Sequence, residues 1–124
     1  MLIVTRHLLN PLITPTHISP SHSDYEVIGT FNAGVTTFNN TTLLLLRVAE
    51  RPIKHDKLWI DCPYRAENGT ITLFRVRHDD PDYDTRDPRF IKHRQTGAVY
   101  LTSISHLRVA TSPDGVHFTV DNHP

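Results

Sequence analysis

The stretch that most restricts how this chain can fold is Thr42-Leu43-Leu44-Leu45-Leu46-Arg47-Val48-Ala49. It is apolar at both alternating positions, the pattern of a strand covered on both faces. It is far too short to cross a membrane, which takes about 20 apolar residues. The turn residues Asn39-Asn40-Thr41 close it on one side. Arg47 shares a strand face with Leu43 and Leu45, so its guanidinium leaves an apolar surface at the strand's end. There it either meets a carboxylate, a carbonyl or a polar ligand, or snorkels to water.

The rest of the chain repeats this strand-and-turn alternation. Tyr25 to Phe31 reads as a strand, Asn32-Ala33-Gly34 interrupts it with residues suited to unusual backbone angles, and Val35 to Phe38 resumes it. Leu58 to Cys62 and Ile71 to Val76 form a pair across the turn Glu67-Asn68-Gly69. Ala98 to Ser103, Leu107 to Ala110 and Val116 to Val120 follow, the last behind the tight turn Ser112-Pro113-Asp114-Gly115. No stretch has the period of an amphipathic helix, and the chain reads as all-β. Residues 1–24, with Pro11, Pro15 and Pro20, read as an extended N-terminal lead-in, and residues 25–124 as the folded portion.

Thirteen basic and thirteen acidic residues cancel, which leaves no global field to draw the protein onto nucleic acid or an anionic membrane. Hydrophobic residues make up 38%, too many for disorder and few for a self-contained core, so further covering surface is expected. The single Cys62 forbids an internal disulfide and reads as a structural thiol, and the first residues lack the apolar region of a secretory signal. A cytoplasmic location is expected. The nine histidines are scattered, without His-Glu-x-x-His or a close pair, so no metal site is expected. Asp80, Asp82 and Asp84 imitate the opening of a calcium loop, but Thr85 and Ile91 stand where glycine and glutamate are required. That loop reads as solvated.

The most chemically suggestive stretch is Arg86-Asp87-Pro88-Arg89. Proline biases the residue before it towards extended backbone, so Asp87 is held at a fixed angle where a loop enters a strand. Two readings are open: a surface aspartate paired with its arginines, or a carboxyl group placed for acid catalysis. Asn32 and Asp87 stand at the same interval as Leu46 and Leu101. A period of about 50 residues falls among those of β-propeller blades. Two blades cannot close a propeller, and their open faces would be apolar.

Three ordered stretches, Phe31-Asn32-Ala33-Gly34-Val35, Leu44-Leu45-Leu46-Arg47-Val48 and Arg86-Asp87-Pro88-Arg89-Phe90, together resemble glycoside hydrolase family 130, the β-mannoside phosphorylases and related β-mannosidases. Ser112-Pro113-Asp114-Gly115-Val116-His117-Phe118 is similar to that family's blade ending. The resemblance implies the first two blades, approximately, of a five-bladed propeller. It implies Asp87 as catalytic acid, Asn32 and Arg47 as residues holding the mannosyl unit, and Arg89 in support. It further implies a β-mannoside oligosaccharide as substrate, inorganic phosphate as co-substrate and no other cofactor. Inverting phosphorolysis then releases mannose 1-phosphate, because phosphate replaces the second carboxylate of an inverting hydrolase. Other readings stay open: a phosphate-independent β-mannosidase, a non-catalytic β module, or an inactive fragment. Homo-oligomeric assembly is also open, since an uncapped stack of blades needs a partner. One physical tension accompanies Asp87: arginines on either side favour its ionised form, whereas an acid at neutral pH needs its proton.

Overall fold

The computed structural model describes residue 1, residues 3–54 and residues 56–124. Nine strands and one short 3-10 turn make up the regular structure of these residues. Strands β1 (Tyr25–Phe38), β2 (Thr41–Pro52), β8 (Ile104–Ser112) and β9 (Thr119–Val120) form a four-stranded antiparallel sheet in the order β1-β2-β8-β9. Strands β3 (Trp59–Arg65) and β4 (Ile71–Arg77) form a hairpin, and β5 (Tyr83–Asp84), β6 (Phe90–His93) and β7 (Val99–Leu101) form a three-stranded sheet. The all-β expectation holds, and no helix among the described residues is long and apolar enough to cross a membrane.

Turn chemistry sets the strand ends. Asn39 and Asn40 both adopt positive φ, 47° and 58°, between β1 and β2, as a two-residue hairpin that follows the strand twist requires. Gly69 supplies the positive φ of the β3–β4 turn, where Asn68 accepts a hydrogen bond from the backbone N–H of Thr70. The final strand is shorter than the alternation after Gly115 suggests. Asp114 accepts the backbone N–H groups of Val116 and His117, so this segment caps a turn before Thr119 joins the ladder.

The leucine run corrects one expectation. Leu46, Val48 and Glu50 point into the interior, where Leu46 and Val48 pack with Ile18 and Ala110. Leu45 stays 46% exposed on the opposite face, beside exposed Leu107 and Val109 of the neighbouring strand. Only one face of β2 is therefore fully covered. The lead-in contributes to the same core: Ile13 packs against it and Ile18 is buried within it. A second core joins the smaller sheets through Ile60, Cys62, Val76 and Ile91, with Phe74, Tyr83 and Tyr100 packed around them. Cys62 lies there with its Sγ 3.9 Å from the Tyr100 carbonyl oxygen. Burial pushes its thiol pKa up to about 11, which makes it a structural group and a poor nucleophile.

Candidate functional site

Strand β1 is irregular where its sequence breaks. The register jumps between Phe31, opposite Arg47, and Gly34, opposite Leu45. Asn32 takes up the jump with a φ of 51°, a left-handed conformation that asparagine tolerates better than most residues. This bulge re-aims the strand next to Arg47. The guanidinium of Arg47 sits over the Phe31 ring, 5.0 Å from its centroid. Its Nε points to Ser105 Oγ at 3.4 Å. Of the partners open to it, no carboxylate among the described residues takes part in this contact. An aromatic face and a hydroxyl hold the charge instead, which leaves much of it free for a ligand.

A cleft of about 1210 Å³ opens beside this residue, between the β1–β2 face and the β3 and β7 strands. Phe31, Arg47, Tyr64, Tyr100, Ser105 and His106 are among the groups that line it. Asn32, Asp87 and Arg89 do not line it. The structure thus sets Asn32 in the bulge directly after Phe31, the ladder partner of Arg47, and places Asp87 on a separate loop between β5 and β6.

That loop is firmly built. Thr102 Oγ1 donates to the Pro88 carbonyl at 2.6 Å, and the Thr102 N–H donates to the Arg89 carbonyl at 3.0 Å. Thr102 belongs to the connection from β7 into β8, and Ser105 at the start of β8 holds Arg47. One short segment therefore anchors both the Asp87 loop and the cleft arginine. The two arginines around Asp87 divide. Arg86 turns away to Asp84, with Nη2 2.6 Å from Oδ2, whereas Arg89 forks Asp87, with Nε to Oδ1 at 2.9 Å and Nη2 to Oδ2 at 2.7 Å. The Arg89 hydrogen bonds hold Asp87 at a pKa of about 2. Asp87 is thus ionised as it stands, and Arg89 alone accounts for the charge pairing expected of both arginines.

A second polar constellation escaped the sequence reading. Glu50 and Arg108 are fully buried on adjacent strands, with Arg108 Nη2 donating to Glu50 Oε1 at 3.1 Å. Arg108 also donates through Nη1 to the Ser19 carbonyl at 2.8 Å and through Nε to His106 Nε2 at 3.0 Å. Ser21 completes the carboxylate's shell, donating its N–H to Oε1 at 2.9 Å and its hydroxyl to Oε2 at 2.6 Å. No buried polar side-chain atom among the described residues lacks a hydrogen-bond partner, which a buried ion pair requires. The signal was present in the sequence: Glu50 falls on the same alternating face as Leu46 and Val48, and Arg108 on that of Ala110. Two opposite charges on inward faces imply a buried pair.

Among the described residues no cluster of three or more histidine, cysteine or acidic side chains is placed to hold a metal ion. No family model matches the chain. It is 48% identical over 124 residues to the β-1,2-mannobiose phosphorylase of Listeria innocua, an alignment taking in 98% of this chain and 35% of that protein. A solved structure of the Listeria innocua β-1,2-mannobiose phosphorylase, in complex with β-1,2-mannobiose, superposes with a TM-score of 0.85 over 96% of this chain and 35% of that one. The chain thus spans about a third of the length of the curated relative it matches.

Proposed function

We propose a function for a chain that belongs, along its length, with the enzymes of glycoside hydrolase family 130: it supplies part of the catalytic domain of a β-mannoside phosphorylase. The observation that carries this reading is the 48% identity, maintained together with the backbone superposition over nearly the whole chain. In this reading the four-stranded sheet and the two smaller sheets are the first blades of a five-bladed propeller. Further sheet, in this chain or another, covers the open Leu45, Leu107 and Val109 face.

Asp87 is the proton donor, and Asn32 and Arg47 hold the mannosyl unit. Inorganic phosphate attacks the anomeric carbon from the face opposite the leaving sugar. The bond from that carbon to the bridging oxygen breaks, and the Asp87 proton passes to the oxygen, directly or through the sugar's 3-hydroxyl. For this, Asp87 must first be protonated. The Arg89 side chain is 80% exposed, and an exposed pair of this kind holds weakly. A sugar that displaces Arg89 and excludes water removes the cause of the low pKa and adds desolvation, which raises it. Phosphate is the only co-reactant this chemistry needs, and no metal or organic cofactor enters it.

The test is to replace the matching third of the Listeria enzyme with this chain and measure cleavage of β-1,2-mannobiose with and without inorganic phosphate. Phosphate-dependent release of mannose 1-phosphate is expected. Phosphate-independent cleavage would make the chain part of a hydrolase, and a folded but inactive hybrid would leave it a non-catalytic β module.

A further inference from the structure

The buried Glu50–Arg108 pair fixes two imidazoles at the cleft wall in complementary states. Each state follows from counting protons. Arg108 Nε carries one hydrogen and donates it to His106 Nε2, so Nε2 is an acceptor and the proton of neutral His106 resides on Nδ1. Nδ1 of His106 has no hydrogen-bond partner among the described residues, yet it is not a buried unsatisfied atom. It is therefore accessible to solvent, on a residue that lines the cleft. The Ser21 hydroxyl has one proton and gives it to Glu50 Oε2 at 2.6 Å. Its 2.9 Å contact with His22 Nδ1 then requires His22 to donate. Nδ1 of His22 is thus protonated, and in the neutral ring its Nε2 carries the lone pair. His22 lines the same cleft.

We propose that His106 and His22 form a donor–acceptor pair that binds hydroxyl groups of a carbohydrate in the cleft. His106 Nδ1–H donates to a hydroxyl oxygen, and His22 Nε2 accepts a hydroxyl proton. The pair rests on the carbohydrate reading above and adds to it a recognition element on the lead-in and on β8, away from the Asp87 loop. Glu50, Arg108 and Ser21 are its positioning residues. Because the ion pair is fully excluded from solvent, it sets both tautomers without touching the ligand, as an outer hydrogen-bond partner sets the tautomer of a ligating histidine. A group that both donates and accepts satisfies both imidazoles. A fully ionised oxyanion satisfies only His106.

The experiment uses the chain labelled with ¹⁵N-histidine and ¹⁵N-arginine. Long-range ¹H–¹⁵N spectra at pH 7.5 read the tautomers directly, and Nδ1–H is expected for both His22 and His106. An Nε2–H form at either residue overturns the proposal. Addition of β-1,2-mannobiose is expected to move both sets of ring signals, and sulfate, an oxyanion with no proton to give at this pH, is expected to leave His22 in place. If the disaccharide moves the Arg47 side-chain signal and neither imidazole, carbohydrate binding stands and the pair is overturned. If it moves no signal at all, the pair is overturned as well. In the Listeria hybrid, His106→Leu is expected to raise KM about tenfold, the loss of roughly one ligand hydrogen bond, with kcat little changed. His106→Asn, which keeps an N–H near the Nδ1 position, is expected to restore most of it. Equal KM values for the two variants would contradict the assignment.

Discussion

Arg89 grips both carboxylate oxygens of Asp87, at 2.9 and 2.7 Å, and adds its own backbone N–H to Oδ1 at 2.9 Å. The loop between β5 and β6 thereby holds the candidate acid in its conjugate-base form. Removing the side chain in Arg89→Ala leaves only the backbone bond. The Asp87 pKa is expected to climb from about 2 towards the ordinary carboxylate value of 3.8, which carboxyl ¹³C titration measures directly. The sign follows from linkage. A depressed folded pKa contributes stability above the unfolded value that is lost as pH falls from about 4 to about 2, so the acid limb of unfolding should flatten in this variant.

The Glu50–Arg108 pair predicts a different pattern. Arg108→Met leaves a buried carboxylate without its counter-ion and is expected to cost about 3–5 kcal/mol in chemical denaturation. Replacing both residues with apolar side chains is expected to cost less than Arg108→Met alone. A double variant less stable than the single one would contradict the burial of this pair.

His106 adds a pH dependence on the acid side of neutrality. Burial lowers its pKa from 6.5; the Glu50 charge opposes that shift, while the Arg108 and His22 charges assist it. The unfolded chain thus binds a proton that the native one refuses. Stability is fully present above the unfolded pKa and falls as pH drops below about 6.5. Denaturation midpoints at pH 7.5 and 5 should differ in wild type, and less so in His106→Asn.

Gly29 tests the seat of Arg47. A Cβ built there would stand 2.7 Å from Phe31 Cε1, on the ring that carries the guanidinium. Gly29→Ala is expected to displace the ring at a cost of about 1–3 kcal/mol. It should also shift the Arg47 Nε signal, although Arg47 itself is unchanged.

Much of this arrangement was legible in the sequence because local chemistry decides it. Asn32 marks the β1 bulge, Asn39-Asn40 the hairpin, and Asp114 the turn before Phe118. The failures arose where tertiary context decides. Four leucines suggested cover on both faces, yet alternation alone cannot say which of two apolar faces finds a neighbour, and Leu45 did not. The strand containing Arg47 gave no hint that Phe31, across the ladder, would be its partner. The lead-in read only as extended chain, because Ser19, Ser21 and His22 acquire their roles only when Ile18 docks and brings them to Glu50 and Arg108. The division of Arg86 and Arg89 between two aspartates depends likewise on loop geometry that no spacing reveals.

The most direct test of the account is Asp87→Asn in the Listeria hybrid, read as phosphate-dependent release of mannose 1-phosphate from β-1,2-mannobiose. Asparagine keeps the loop's shape and lacks the transferable proton, so the rate should fall by about 10²–10⁴-fold with the fold intact. An Asp87→Asn hybrid that retains the unsubstituted rate would contradict the assignment of Asp87 as the acid.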